Sequence, residues 1–236
     1  MQSYFIWNNV DCRSMGIILR GPVSIVRPEE RVKHVQIPGR SGDLTETEGE
    51  NIYNSYIQTA TIQVLSGFRV HEIYKWLRGA GYVTFSSEPD KRQPARIIGA
   101  VTLNKVSHNM DIWAGEVQFY CQPLKESLQA IATTISTSGM SVRNNGDVES
   151  HPIITATAST SSISVSAGGN ELMITGLASS TDYVIDCDAQ IITNTAGTAD
   201  YTENSTGDFP VLKIGNNAVA GSGWSKLVID RRERYL

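Results

Sequence analysis

The fold class turns on Tyr56-Ile57-Gln58-Thr59-Ala60-Thr61-Ile62-Gln63-Val64-Leu65. This run is rich in β-branched residues and free of Gly and Pro, which reads as a strand. Just after it, Val70, Ile73, Tyr74 and Leu77 fall at i, i+3, i+4 and i+7 and form one apolar stripe. The stripe predicts a helix from Val70 to Arg78, with Gly79 as its C-terminal stop. So short a helix must draw its stability from packing that stripe on a sheet.

Working outward, β signals dominate. Tyr4-Phe5-Ile6-Trp7, an Asn8-Asn9 turn and Met15 to Leu19 read as strand, turn, strand. After Gly21-Pro22, the charged segment Arg27-Pro28-Glu29-Glu30-Arg31 leads into the alternating Val32-Lys33-His34-Val35-Gln36-Ile37. The cluster Pro38-Gly39-Arg40-Ser41-Gly42-Asp43 predicts that this strand runs into an ordered loop. Tyr82 to Phe85, Ala95 to Val101 and Trp113 to Cys121 are further strands. Composition shifts after about Pro123, and residues 130–206 are rich in Ser, Thr, Gly and Ala. Alternation in Ile163–Val165, Leu172–Ile174 and Tyr183–Ile191, with Gly168-Gly169-Asn170 as a hairpin turn, predicts a β-sandwich. A mucin-like stalk is the rival reading of such a composition, but a stalk has no core to pattern its Ile, Val and Leu.

The 236 residues suffice for one large β domain or two smaller ones, and a core needs no metal or disulfide. A net charge of −4 argues against nucleic acid as the main partner. Lys and Arg gather at the two ends, and between Lys125 and Lys213 only Arg143 intervenes, which implies two modules with different surfaces. Cys12, Cys121 and Cys187 are odd in number and lack a CxxC, so reduced thiols are expected. Met1 to Asn9 lacks a basic n-region and an apolar run, and no stretch approaches the ~18 apolar residues of a membrane helix. Folding in a cytoplasm is the expectation, and the sequon at Asn204 is then a chance match.

No reactive constellation emerges. His34, His71, His108 and His151 have no metal-ligand spacing. Ser41 sits in Gly39-Arg40-Ser41-Gly42, whose spacing is not that of a nucleophile elbow. Glu46, Glu48 and Glu50 alternate, as do Asp186 and Asp188. Such pairs on one strand face could serve glycoside hydrolysis or a Ca²⁺ site. The glutamates read as a solvated acidic loop, and the aspartates as outward-facing neighbours of a core-facing Ile185 and Cys187. Trp224 and Tyr183 could stack on sugars, but core packing is the better reading of both. Arg231-Arg232-Glu233-Arg234-Tyr235 reads as a protein interface or a solvated end. Neither a catalytic role nor a cofactor is expected.

The order of several segments carries a resemblance over essentially the whole chain. They are Trp7-Asn8-Asn9, Gly16-Ile17, Arg27-Pro28, Ile37 to Leu44, Trp76-Leu77, Phe119 to Pro123, Asn144-Asn145-Gly146, Ser150 to Ile154, Val184 to Asp186, Gly207 to Leu212, Gly215-Asn216-Asn217 and a final Arg-rich strand. Together they resemble the distal tail proteins of phages with long non-contractile tails. That resemblance implies a mainly β fold: an N-terminal belt domain with one α-helix (1–127) and a C-terminal galectin-like β-sandwich (128–236). It further implies a homo-hexameric ring, single or in two stacked rings, in the virion tail tip. The partners would be the tail tube protein and a tail-associated tip protein or receptor-binding proteins, with no membrane partner. Arg27, Glu29, Glu30, Arg31, Lys33, Arg40 and Asp43 are the candidate ring-interface residues. A lectin-like module for cell-wall recognition is the alternative function, although the chain has no spare length for an inserted carbohydrate-binding module.

Overall fold

The computed structural model of the chain describes residues 3–47, 49, 51–106 and 110–236. The chain divides into two compact units, residues 1–128 with Leu236, and residues 129–235.

The first unit contains β1 (Phe5–Trp7), β2 (Val10–Asp11), β3 (Ile17–Leu19), β4 (Val32–Gln36), β5 (Asp43–Thr47), β6 (Tyr56–Val64), α1 (Val70–Trp76), β7 (Ala80–Phe85), β8 (Lys91–Lys105), β9 (Trp113–Cys121) and β10 (Lys125–Ser127). Its main sheet has the order β2-β1-β7-β8-β9-β6-β3, with β10 paired to β8. Strand β6 alternates as its sequence demands: Ala60, Ile62 and Val64 are buried, while Ile57, Thr59 and Thr61 face out. The β1–β2 turn is Asn8-Asn9, with φ of 49° and 64°. Asn tolerates this left-handed region better than most residues. The Asn8 side chain then accepts a hydrogen bond from the Tyr82 amide at 3.0 Å. A Cβ on Gly81 would sit 1.7 Å from that Asn8 oxygen, so a larger residue there would displace the Asn8 side chain from this bond.

Helix α1 carries the expected stripe, with Ile73 and Leu77 buried. It ends two residues sooner than expected, because Leu77 leaves helical geometry at ψ 68° after its amide bonds to Ile73. Gly79 lies beyond, in the exit turn at φ 77°. Trp76 stacks on Phe5 with centroids 5.7 Å apart and donates its indole N–H to the Trp7 carbonyl. Phe119 is the aromatic hub, 5.3 Å from Phe5 and 5.6 Å from both Trp7 and Phe85. Elsewhere in this unit, Glu88 accepts from Lys125 at 2.6 Å and from Lys91 at 2.8 Å. Burial pushes the Glu88 carboxyl up, but the two ammonium groups outweigh it and hold it below the ordinary glutamate value. Its stabilisation is therefore present above the unfolded pKa and fades as pH falls through the folded one.

The second unit contains β11 (Ala132–Ile135), β12 (Met140–Asn144), β13 (Ile153–Ala158), β14 (Ser162–Ala167), β15 (Asn170–Thr175), β16 (Asp182–Asp186), β17 (Ile191–Asn194), β18 (Ser205–Gly207), β19 (Gly215–Ser222) and β20 (Trp224–Asp230). Two five-stranded antiparallel sheets, β11-β20-β13-β16-β17 and β12-β19-β14-β15-β18, share one core. Ile154, Ile185 and Ile229 meet Val165, Leu172, Ile174 and Val219 there, so this unit is a sandwich and not a stalk. Gly168-Gly169 make the β14–β15 turn as expected, with Ala167 opposite Asn170.

One expected strand is broken. The alternation from Tyr183 to Ile191 belongs to two strands, with a turn after Asp186. The Asp186 carboxylate accepts the amides of Asp188 and Ala189 at 3.0 and 3.1 Å, an Asx-type turn that competes with the ladder. Gln190, at φ 56°, completes the reversal.

Truncating the aromatic hub tests this packing: Phe119→Ala should cost about 3–5 kcal/mol, measured by urea unfolding. Separately, Glu88→Gln, which removes the carboxylate shared by Lys91 and Lys125, should destabilise at pH 7 and converge on the parent protein in acid, read from the same unfolding curves.

Candidate functional site

Between Glu29 and Asn54 the chain leaves the main sheet and returns. The base of this excursion is tied by Arg31 N–H to the Ile52 carbonyl (2.8 Å), Asn54 N–H to the Glu29 carbonyl (2.7 Å) and a Glu30–Tyr53 bridge. Beyond it, among the described residues, β4 and β5 pair only with each other, from Val32–Thr47 to Gln36–Asp43. The segment after Pro38 is thus not simply a loop, as expected, but a turn followed by a return strand. Its polar run Asp43-Leu44-Thr45-Glu46-Thr47 has no core to pattern it, which is why alternation was not visible. The turn needs glycine for its backbone: Gly39 and Gly42 lie at φ 82° and 80° with open space around them.

At about 3.3 Å per residue, the ribbon from Val32 to Ile37 reaches roughly 20 Å, more than the ~14 Å radius of gyration of a 128-residue unit. It is an arm. Cross-strand partners share a face, so Lys33, Val35 and Ile37 lie on one side with Glu46 and Leu44. Ile37 and Leu44 remain 40% and 37% exposed. All seven candidate interface residues are exposed, with Arg27, Glu29, Glu30 and Arg31 at the base, Lys33 and Asp43 on the strands and Arg40 in the turn. Burying an apolar side chain fully contributes roughly 1.5–3 kcal/mol, against about 0–1 for an exposed ion pair. The apolar face, rather than the charges, therefore governs whether the arm binds anything.

The carboxylates weighed for chemistry are held otherwise. Asp186 is bonded to Arg232 at 3.1 Å and Asp188 to Arg234 at 2.7 Å. These aspartates and the Arg-rich segment, read separately in the sequence, are each other's partners. Between the arginines, Glu233 is buried and accepts from Arg231 (3.0 Å), the Asn145 amide and side chain (3.1 Å each) and the Tyr235 hydroxyl (2.7 Å). The expected interface or solvated end is instead a clamp inside the sandwich unit. Gly146 lies so close to the Arg234 backbone that a Cβ would stand 2.5 Å from its carbonyl oxygen. Asn144, buried beside it, donates to the carbonyls of Val148 and Leu212.

The remaining candidates stay apart. Ser41 is exposed in the arm turn and Glu46 on β5, while Glu48 and Glu50 lie outside the described residues. His34 faces Thr45 on the arm, His71 is exposed on α1, His151 is half-buried before β13, and His108 lies outside the described residues. Among the described residues no group of three or more His, Cys, Asp or Glu could hold a metal ion, and no helix is long and apolar enough to cross a membrane. Tyr183 is buried with its hydroxyl accepting the Ala178 amide, and Trp224 is half-buried against the core with its indole bonded to the Ser164 carbonyl. Burial pushes the thiols of Cys121 and Cys187 up to about 12 and that of Cys12 to about 11.

No family model and no curated protein matches the chain in sequence. Among solved structures, the Dit protein of phage SPP1 matches over 100% of both chains at 17% identity, with a TM-score of 0.77. This is the Dit fold. The phage SPP1 protein is described as a paradigm of the hub adsorption apparatus in phages that infect Gram-positive bacteria. A chain of the phage p2 baseplate in its activated conformation also matches, at 9% identity and a TM-score of 0.53, over 97% of this chain and 96% of that one. The mainly β architecture with one helix expected from the sequence is therefore found, and the Dit fold spans the entire chain.

Two outcomes follow from the site. Millimolar Ca²⁺ should leave the melting temperature unchanged, because both aspartates are already neutralised by arginine; a rise of several degrees would contradict the clamp. Glu233→Ala should cost about 1–3 kcal/mol, since the largely covered Arg231 loses its carboxylate but keeps the Ile131 and Arg143 carbonyls, as read by chemical denaturation of the full chain.

Proposed function

We propose that the chain is a structural hub protein of a phage tail: a distal tail protein that joins the tail tube to the tip apparatus. The observation that carries this reading is the uncovered apolar arm on a chain with the Dit fold from end to end. Copies assemble into a ring, six to a turn, single or stacked in pairs. The arm and its charged base, Arg27 to Asp43, supply one side of the subunit contact. Arm and receiving surface differ, so the contact is head-to-tail and closes only by rotation. The N-terminal unit is the ring-forming belt, with a boundary near residue 128, and the sandwich is the second module. Neighbouring tube, tip and receptor-binding proteins are the partners, in a virion assembled in the host cytoplasm.

The role is one of holding surfaces together and involves no turnover. The lectin reading draws no support from its two aromatic residues, because Tyr183 has no exposed ring face and Trp224 packs on the core.

Light scattering and negative-stain microscopy of the purified protein test this directly. A ring-sized oligomer is expected, collapsing to monomers when residues 32–47 are replaced by a short Gly-Ser link while the far-ultraviolet spectrum of the sandwich persists. A strictly monomeric parent protein at high concentration would overturn the reading.

A further inference from the structure

The first unit is hollowed beside α1 and again on the outer face of its main sheet. The groove beside α1, of about 710 Å³, has Phe68, Tyr74 and Trp113 for walls and is open to apolar surfaces of many shapes. The pocket on the sheet is smaller, about 140 Å³, and more particular. Ile6 faces Thr84 across β1 and β7, on the side of the sheet away from the aromatic hub, and the two make the pocket floor. Tyr82 and Leu128, 40% and 45% exposed, stand at its sides. The Asn8-Asn9 turn and Arg92 of β8 complete the rim.

The polar groups here have bonding capacity to spare. Thr84 is only 5% exposed, yet its hydroxyl makes no hydrogen bond among the described residues. A covered hydroxyl without a partner is costly until something enters to bond it. The Asn8 side-chain oxygen takes the Tyr82 amide, which leaves the Asn8 N–H groups without a partner among the described residues, and the Asn9 side chain has none either. Arg92 is different. Glu126 holds its guanidinium at 3.1 Å, and the same group lies 4.4 Å from the centre of the Tyr82 ring. The pocket is therefore rich in hydrogen-bonding groups but close to neutral.

Size and polarity together narrow the occupant. A cavity of about 150 Å³ admits a single six-membered ring. A wholly apolar ring would leave Thr84 and the two asparagines unbonded, and an anion would meet an arginine already neutralised. A ring with an apolar face and hydroxyls around its edge satisfies both kinds of wall. We propose that this pocket binds one pyranose ring of a neutral sugar, its hydroxyls bonded to Thr84, Asn8 and Asn9 and its apolar face against Leu128. The site lies in the first unit, apart from Tyr183 and Trp224 of the second, and does not depend on ring formation. Asn8 can reach it because Gly81 leaves room for the Asn8 side chain.

Saturation-transfer NMR on the full chain tests this, with methyl glucoside, methyl galactoside and methyl N-acetylglucosaminide at millimolar concentration. Cyclohexanol and benzoate are the apolar and anionic comparisons. At least one pyranoside should bind, and more tightly than either comparison. Thr84→Val keeps the side-chain shape and removes the hydroxyl, so binding should weaken about tenfold, one hydrogen bond's worth. Asn9→Gly keeps the left-handed turn and should have a similar effect. Leu128→Trp, at an exposed position just past β10, fills the pocket and should abolish the signal while the urea unfolding curve stays that of the parent protein. Silence from every pyranoside, or tighter binding of cyclohexanol or benzoate, would overturn the assignment. So would a sugar signal that Leu128→Trp leaves intact, because the sugar would then sit elsewhere.

Discussion

A ribbon two strands wide has no interior. Each strand can satisfy the other's backbone, but neither can cover the other's side chains, so an apolar face on such a ribbon is buried by something else or by nothing. In this chain β4 and β5 carry that face some 20 Å from their base, and Ile37 and Leu44 remain in water. The rest of the first unit makes this possible. Its aromatic hub, Phe119 with Phe5, Trp7 and Phe85, anchors the sheet, and the bonds between residues 29–31 and 52–54 fix where the arm leaves it. An isolated hairpin is at best marginally stable; this one is rooted in the first unit by those backbone bonds.

The second unit spends its charges inward. Asp186, Asp188 and Glu233 meet Arg232, Arg234 and Arg231, closing the chain's final segment onto the sandwich. Acids that might have gathered around a cation or a sugar are satisfied by arginines 46 residues further along the chain. The first unit folds in charge of its own at Glu88, Lys91 and Lys125, and leaves the charges of the arm outside.

Much of this was legible in the sequence where a strand has one wet and one dry face. Trp113–Cys121 was read to the residue, and the β6 run to within one residue at its end. The helix was found from its stripe, but its end was misplaced, because a backbone turn at Leu77 leaves no compositional mark. Strand β8 runs from Lys91 to Lys105, well past the expected Ala95–Val101, since its ends are set by pairing with β9 and β10 and not by apolar residues. The Tyr183–Ile191 alternation continued through a turn, because Cys187 is buried on either reading. The groove beside α1 could not be read at all. Phe68 and Tyr74 belong to the turn and helix at α1 while Trp113 opens β9, and only the tertiary fold brings the two segments to one groove.

The buried thiols carry a last implication. Cys12, Cys121 and Cys187 each lie in a different stretch of core, protonated far above neutral pH and shielded from solvent. Thiolate is the form that oxidises or exchanges, so none of the three reports on the redox state around the folded chain. Reducing and oxidising surroundings would therefore leave these three positions chemically alike, so the folded chain needs neither condition to keep its cores intact.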